Sequence, residues 1–111
     1  MLALRLDEKY ERAWKNLGLV RARQKRYGEA RTMMERVVAK HVAANDVGYV
    51  AMLNGDYGQA RSLFTEAIRL SPRFYPTATD NLAKLDQAQA SSDLLLVTSE
   101  LRDLDLSQLG P

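Results

Sequence analysis

The sequence predicts an all-α fold: a solenoid of antiparallel helix pairs, with about two repeats, a capping helix and a C-terminal helical tail. Three observations carry this. The stretch Tyr27-Gly28-Glu29-Ala30-Arg31-Thr32-Met33-Met34 is written again as Tyr57-Gly58-Gln59-Ala60-Arg61-Ser62-Leu63-Phe64. A glycine precedes each alanine by twelve residues, Gly18 before Ala30 and Gly48 before Ala60. No segment reads as a convincing strand. Self-similarity at a fixed period marks a repeat protein, whose units bury their cores only against neighbours. Such a scaffold presents a surface, and it argues against an enzyme built around one pocket.

The elements follow in order. Tyr10 to about Lys25 reads as an amphipathic helix, with Ala13, Trp14, Leu17, Val20 and Arg21 at three- and four-residue spacings. Asp7 suits its N-cap, and Glu8 and Glu11 suit the positive end of its dipole. A second helix is expected from about Gly28 to Lys40, with Ala30, Met33, Met34, Val37 and Val38 inward. His41 then falls near its end, where a histidine suits the negative end of the dipole. A third helix spans about Ala43 to Leu53 and stops at Asn54-Gly55, a strong turn signal. A fourth covers about Tyr57 to Leu70, ended by Ser71-Pro72, because proline cannot donate into a continuing helix. A fifth starts near Pro76, which suits a first-turn position, and carries Ala78, Leu82, Leu85 and Ala88 to Ser91-Ser92.

Beyond Ser91 the repeat pattern ends, which divides the chain into a repeat domain over 1–90 and a tail over 91–111. Leu94, Val97, Leu101 and Leu104 recur at alternating spacings of three and four, giving one apolar stripe. Ser92 suits the start of a separate tail helix and Gly110-Pro111 its stop. The stripe needs a partner. Three are open: the end of the repeat stack, a groove (its own or a neighbour's), or a role as an appended ligand segment.

A chain of 111 residues is at most one domain, and 46% hydrophobic content supports a modest core. No apolar run is long enough to span a membrane as a helix. Cysteine is absent, which excludes disulfides and thiolate metal sites. The net charge of +2 hides an asymmetry. Residues 1–44 hold eleven Lys/Arg against five Asp/Glu, and residues 45–111 hold five against nine.

Catalytic chemistry has little to work with. His41 is the only histidine, and it forms no known motif with a serine or aspartate. The carboxylates are scattered and match no metal-ligand spacing, so neither a metal nor another cofactor is expected. Gly28 and Gly58 belong to helix turns and not to a phosphate-cradling loop. Arg21, Arg23, Lys25 and Arg26 form a basic cluster, but it lies at a helix end without an aromatic platform, so nucleic acid is a disfavoured partner.

The repeat resembles the tetratricopeptide repeat (TPR), which reads Trp-x2-Leu-Gly-x2-Tyr, then Ala-x3-Phe, then Pro over 34 residues. Trp14, Leu17, Gly18, Ala30 and Met34 fit one copy; Val47, Gly48, Ala60, Phe64 and Pro72 fit the next. Small residues at Gly18, Ala30, Gly48 and Ala60 would let paired helices approach, and Trp14, Met34 and Phe64 would fill the space between pairs. The copies here lie 30 residues apart, so the link around Lys40–Ala43 is expected to be compressed. Arg21 and Ala51 stand where the family often has tyrosine. Asn81-Leu82-Ala83 echoes Asn16-Leu17-Gly18, the beginning of a third copy. Leu2-Ala3-Leu4-Arg5-Leu6-Asp7 resembles the end of a preceding repeat, which suggests a chain excised from a longer one.

The resemblance implies a non-enzymatic module that binds a peptide or helix of a partner protein in a concave groove lined by the leading helices. Carried over by spacing, the groove comprises Arg12, Lys15, Asn16, Leu19 and Arg23, then Asn45, Asp46, Tyr49, Met52 and Leu53, then Asn81 and Lys84. Asparagines can donate to and accept from an extended backbone, while Leu19, Tyr49 and Met52 supply apolar contact. Lys15 fits the carboxylate clamp of chaperone-binding TPR domains, but Leu19 and Asp46 replace polar positions that clamp requires.

A narrower resemblance covers Asn45 to Tyr57 and Leu70-Ser71-Pro72-Arg73-Phe74-Tyr75. These look like the TadD-like, pilotin-type TPR lipoproteins of the tight-adherence (Flp) pilus. That likeness implies an assembly factor at the periplasmic face of the bacterial outer membrane, with a secretin segment as ligand. Contact with the membrane would come only through a lipid anchor upstream of this chain. The alternative is a cytoplasmic TPR adaptor or chaperone-like module unrelated to pili, and a nucleic-acid-binding helical repeat stands third.

Overall fold

The computed structural model describes the backbone of residues 2–108 and the side chains of residues 9–102. Five helices follow one another: α1 (Leu2–Arg23), α2 (Tyr27–Met34), α3 (Lys40–Leu53), α4 (Tyr57–Leu70) and α5 (Pro76–Gln108). Strands are absent among the described residues. Helices α1 and α2 form one pair, α3 and α4 a second, and the start of α5 packs on α3 and α4. This is the predicted all-α solenoid of helix pairs.

The period of 30 is visible in the backbone. At the end of α1, Lys25 N–H bonds Ala22 O at 2.9 Å and Arg26 N–H bonds Arg21 O at 2.9 Å. At the end of α3, Gly55 N–H bonds Met52 O at 3.0 Å and Asp56 N–H bonds Ala51 O at 2.9 Å. Each position is shifted by one repeat. Both are Schellman closures, which place one residue in the left-handed region. Gly55 takes that position with φ 82°, and Lys25 takes it with φ 67°.

The core follows the repeat. Met34, Phe64, Val47 and Leu85 are its largest fully buried side chains, joined by Ala22, Ala30, Ala43, Ala51 and Ala60. A Cβ on Gly18 would lie 2.5 Å from Met34 Cγ and 3.2 Å from the Ala30 carbonyl, so α1 and α2 meet there. On Gly48 it would lie 2.9 Å from the Phe64 ring and 3.0 Å from Leu63 Cβ. The nearest neighbours of the second glycine are thus Phe64 and Leu63, one turn beyond Ala60, which is itself fully buried.

Several sequence expectations change. Helix α1 already runs from Leu2, so Asp7 lies within it and is not its N-cap. Its Ala13, Leu17 and Val20 are exposed, because the packing face is Gly18 and Ala22. Trp14 does not fill the space between pairs. It is half-buried at the edge of α1 and α2, with the Arg36 guanidinium 4.4 Å above its ring and Tyr10 edge-on at 5.8 Å. Helix α2 stops at Met34, and α3 starts at Lys40. The compression therefore falls on the last turn of α2 and not on Lys40–Ala43. His41 consequently sits in the first turn of α3, at the positive end of a dipole, where its ring packs edge-on to Tyr75 at 5.0 Å.

The largest difference is α5. It is one helix of 33 residues with no break at Ser91-Ser92, so Ser92 starts no new helix. Serine is only a mild helix former in an interior and does not end a helix by itself. Leu94, Val97 and Leu101 are exposed, so within this chain the stripe covers neither the stack nor a groove. The side chain of Leu104 and the stop at Gly110-Pro111 lie outside the described residues.

Candidate functional site: a groove across the leading helices

Helices α1, α3 and α5 line one face of the solenoid, and two shallow depressions join along it. The first is lined by Glu11, Arg12, Lys15, Asn16 and Leu19, all on α1. The second is lined by Leu19, Asn45, Asp46, Tyr49, Val50, Thr77, Asn81 and Lys84, from all three helices. Leu19 is the shared wall. Nine of the residues expected in a groove are thereby brought together: Arg12, Lys15, Asn16, Leu19, Asn45, Asp46, Tyr49, Asn81 and Lys84.

Three are not. Arg23 is exposed at the last turn of α1 and lines neither depression. Met52 is half-buried and packs against the core. Leu53 is exposed at the end of α3, away from both depressions. Sequence reasoning missed Glu11, Val50 and Thr77. Thr77 was findable, since Thr77, Asn81 and Lys84 continue a four-then-three helical spacing through the first turns of α5.

The two asparagines differ in kind from the exposed lining. Asn45 and Asn81 are buried, and the Asn81 amide donates to Asn45 Oδ1 at 2.9 Å. They form the floor of the groove and tie α3 to α5. That bond engages the Asn81 amide and the Asn45 carbonyl, and leaves the Asn81 carbonyl and the Asn45 amide outside it. Above them, burial raises the Asp46 carboxyl from its ordinary value, while the neighbouring Asn45 side chain and the Lys15 ammonium pull it back. Burial and the Asp46 charge also raise the Tyr75 hydroxyl above its ordinary value. The groove thus offers a half-buried anion at Asp46, cations at Lys15, Lys84 and Arg12, and apolar contact at Leu19, Tyr49 and Val50.

The basic cluster at the first turn is largely offset by acids. Arg26 pairs with Glu29 at 2.9 Å, Arg21 with Glu29 at 3.9 Å and Lys25 with Asp56 at 3.9 Å. The second turn is bound to the first: the Tyr27 hydroxyl donates to Asp56 Oδ2, and Asn54 Nδ2 donates to the Tyr27 oxygen at 3.0 Å and to Ala22 O at 3.1 Å. Among the described residues no group of three or more His, Asp or Glu side chains is placed to hold a metal ion.

A family model for the tetratricopeptide repeat matches residues 3–46 and 18–79, together more than half of the chain. The chain belongs to the tetratricopeptide-repeat family. No curated protein and no solved structure matches it. TPR repeats are generally protein-interaction modules. In this TPR chain the leading helices are α1, α3 and the first turns of α5, the three that build the groove.

Proposed function

We propose that the chain binds a peptide or helix of another protein along the α1–α3–α5 groove. The observation that carries this reading is the convergence of Leu19, Asp46, Tyr49, Asn81 and Lys84 from three helices onto one open depression. Its floor is fixed by the Asn45–Asn81 hydrogen bond, so the site is preorganised. Its rim mixes one anion with several cations, which suits a ligand of mixed charge with an apolar anchor against Leu19 and Tyr49. The aromatic Tyr49 is the side chain best suited to dominate the binding energy.

The narrower reading is an assembly factor of the tight-adherence pilus type, with a secretin segment as ligand, working at the periplasmic face of the outer membrane. Its support is the sequence likeness of Asn45–Tyr57 and Leu70–Tyr75 to TadD-like lipoproteins. Isothermal titration with overlapping peptides from a tight-adherence secretin tests it. A peptide that binds the parent chain and loses at least tenfold in affinity to Tyr49→Ala supports both levels. If no secretin peptide binds while another protein's peptide does, the pilus reading fails and the adaptor reading stands.

A further inference from the structure

Two apolar stripes on the described surface have no partner among the described residues, and they lie at its two ends. On α1, Tyr10, Ala13, Leu17 and Val20 succeed one another at three and four residues, on the face opposite Gly18 and Ala22. On α5, Leu94, Val97 and Leu101 do the same, each at least half exposed. A helix turns 3.6 residues per cycle, which sets Asp93 and Glu100 along one flank of the α5 stripe. The same geometry sets Lys9 and Arg23 along one flank of the α1 stripe.

The α5 stripe cannot reach the α1 stripe of its own chain. Helix α5 packs on α3 and α4, and among the described residues its backbone does not pack on that of α1. It is unbroken and roughly 50 Å long, so its far half stands away from the helix pairs. The molecule is accordingly 81 Å in its longest dimension and 28 Å in the next. Pairing of two tails is opposed by charge, since residues 91–111 carry Arg102 against Asp93, Glu100, Asp103 and Asp105. The α1 end is the basic end.

We propose that copies of this chain associate head to tail, the α5 tail of one packing on the outer face of α1 of the next. Leu94, Val97 and Leu101 meet Ala13, Leu17 and Val20, and the acidic flank of the α5 stripe runs along the basic flank of the α1 stripe. The contact is heterologous: each copy offers one head and one tail, and association continues unless a ring closes. It uses neither depression of the groove and is independent of the peptide-binding reading.

Sedimentation equilibrium on the 111-residue chain tests this with two variants. The head variant is Leu17→Gln with Val20→Gln; the tail variant is Leu94→Gln with Val97→Gln and Leu101→Gln. All five positions are exposed, and glutamine is a good helix former, so circular dichroism is expected to show unchanged helix content. The parent is expected to gain mass with concentration, and each variant alone to stay monomeric over the same range. An equimolar mixture of the two is expected to give a species of twice the monomer mass, because one supplies the intact tail and the other the intact head. Raising salt from tens of millimolar to about half molar should weaken parental association several-fold. A parent that stays monomeric overturns the proposal. So does a head variant that still associates, which would mean tails pair with tails, or a mixture that shows only monomers.

Discussion

The Asn81 side-chain amide donates a 2.9 Å hydrogen bond to Asn45 Oδ1, and both residues are only 5% exposed. This bond joins the second helix pair to the capping helix beneath the groove. Removing one partner leaves a buried carbonyl without its donor, which costs about 1–3 kcal/mol. Asn81→Ala is expected to lose that much in urea denaturation. Loss of less than half a kcal/mol would show that water replaces the bond.

Gly48 and Gly58 are expected to respond in opposite directions to alanine. At Gly48 the new methyl would meet the fully buried Phe64 ring at 2.9 Å, which cannot move aside without disturbing the core. Gly48→Ala is expected to destabilise by about 1–3 kcal/mol. At Gly58 nothing lies within 4 Å, so Gly58→Ala gains helix propensity, roughly 0.5–1 kcal/mol. Equal effects in thermal melts would contradict the close approach of α3 and α4.

Lys25 holds the left-handed conformation that its repeat mate Gly55 holds without steric cost. Its ion pair with Asp56, at 3.9 Å, is largely exposed and contributes little. Lys25→Gly is therefore expected to stabilise the chain by up to about 1 kcal/mol, even though it deletes a charge pair. A lower melting temperature for this variant would rule out relief of backbone strain as the dominant effect.

Asp46 gives a pH signature. Burial raises its folded-state carboxyl above the unfolded value. A carboxyl shifted upward costs stability where it is ionised in both states and costs nothing where it is protonated in both. Asp46→Asn is expected to be the more stable protein at neutral pH. Its advantage should shrink as pH falls through the carboxylate range and vanish by about pH 3. Urea midpoints that favour the parent at neutral pH would show that the Lys15 attraction outweighs desolvation.

Fold and groove were legible to different depths. The doubled Tyr-Gly-x-Ala-Arg stretch and the glycine–alanine spacing located the helix pairs, because close helix packing constrains which residues fit. Met34, Phe64 and Ala60 were readable as core for the same reason. Spacing alone could not show which face of α1 is inward. Ala13, Leu17 and Val20 carry as regular a period as the packing face, and only the position of α2 decides between them. The continuity of α5 was hidden because Ser91-Ser92 is a weak signal, and a helix can continue where nothing forbids it. In the groove, the resemblance to the tetratricopeptide repeat was what placed Asp46, Tyr49 and Lys84 on one surface. The burial of Asn45 and Asn81 depends on two helices meeting 36 residues apart, which no local pattern encodes.

The most direct test of the groove is an amide chemical-shift titration of the labelled chain with a peptide selected on it from a random display library. Shifts concentrated at Leu19, Asp46, Tyr49, Thr77 and Lys84 are the expected result, with Tyr49→Ala abolishing them while retaining the parent melting temperature. Shifts confined to the opposite face, at Gly28, Arg31, Gln59 and Ser62 between α2 and α4, would contradict a ligand site on the leading helices.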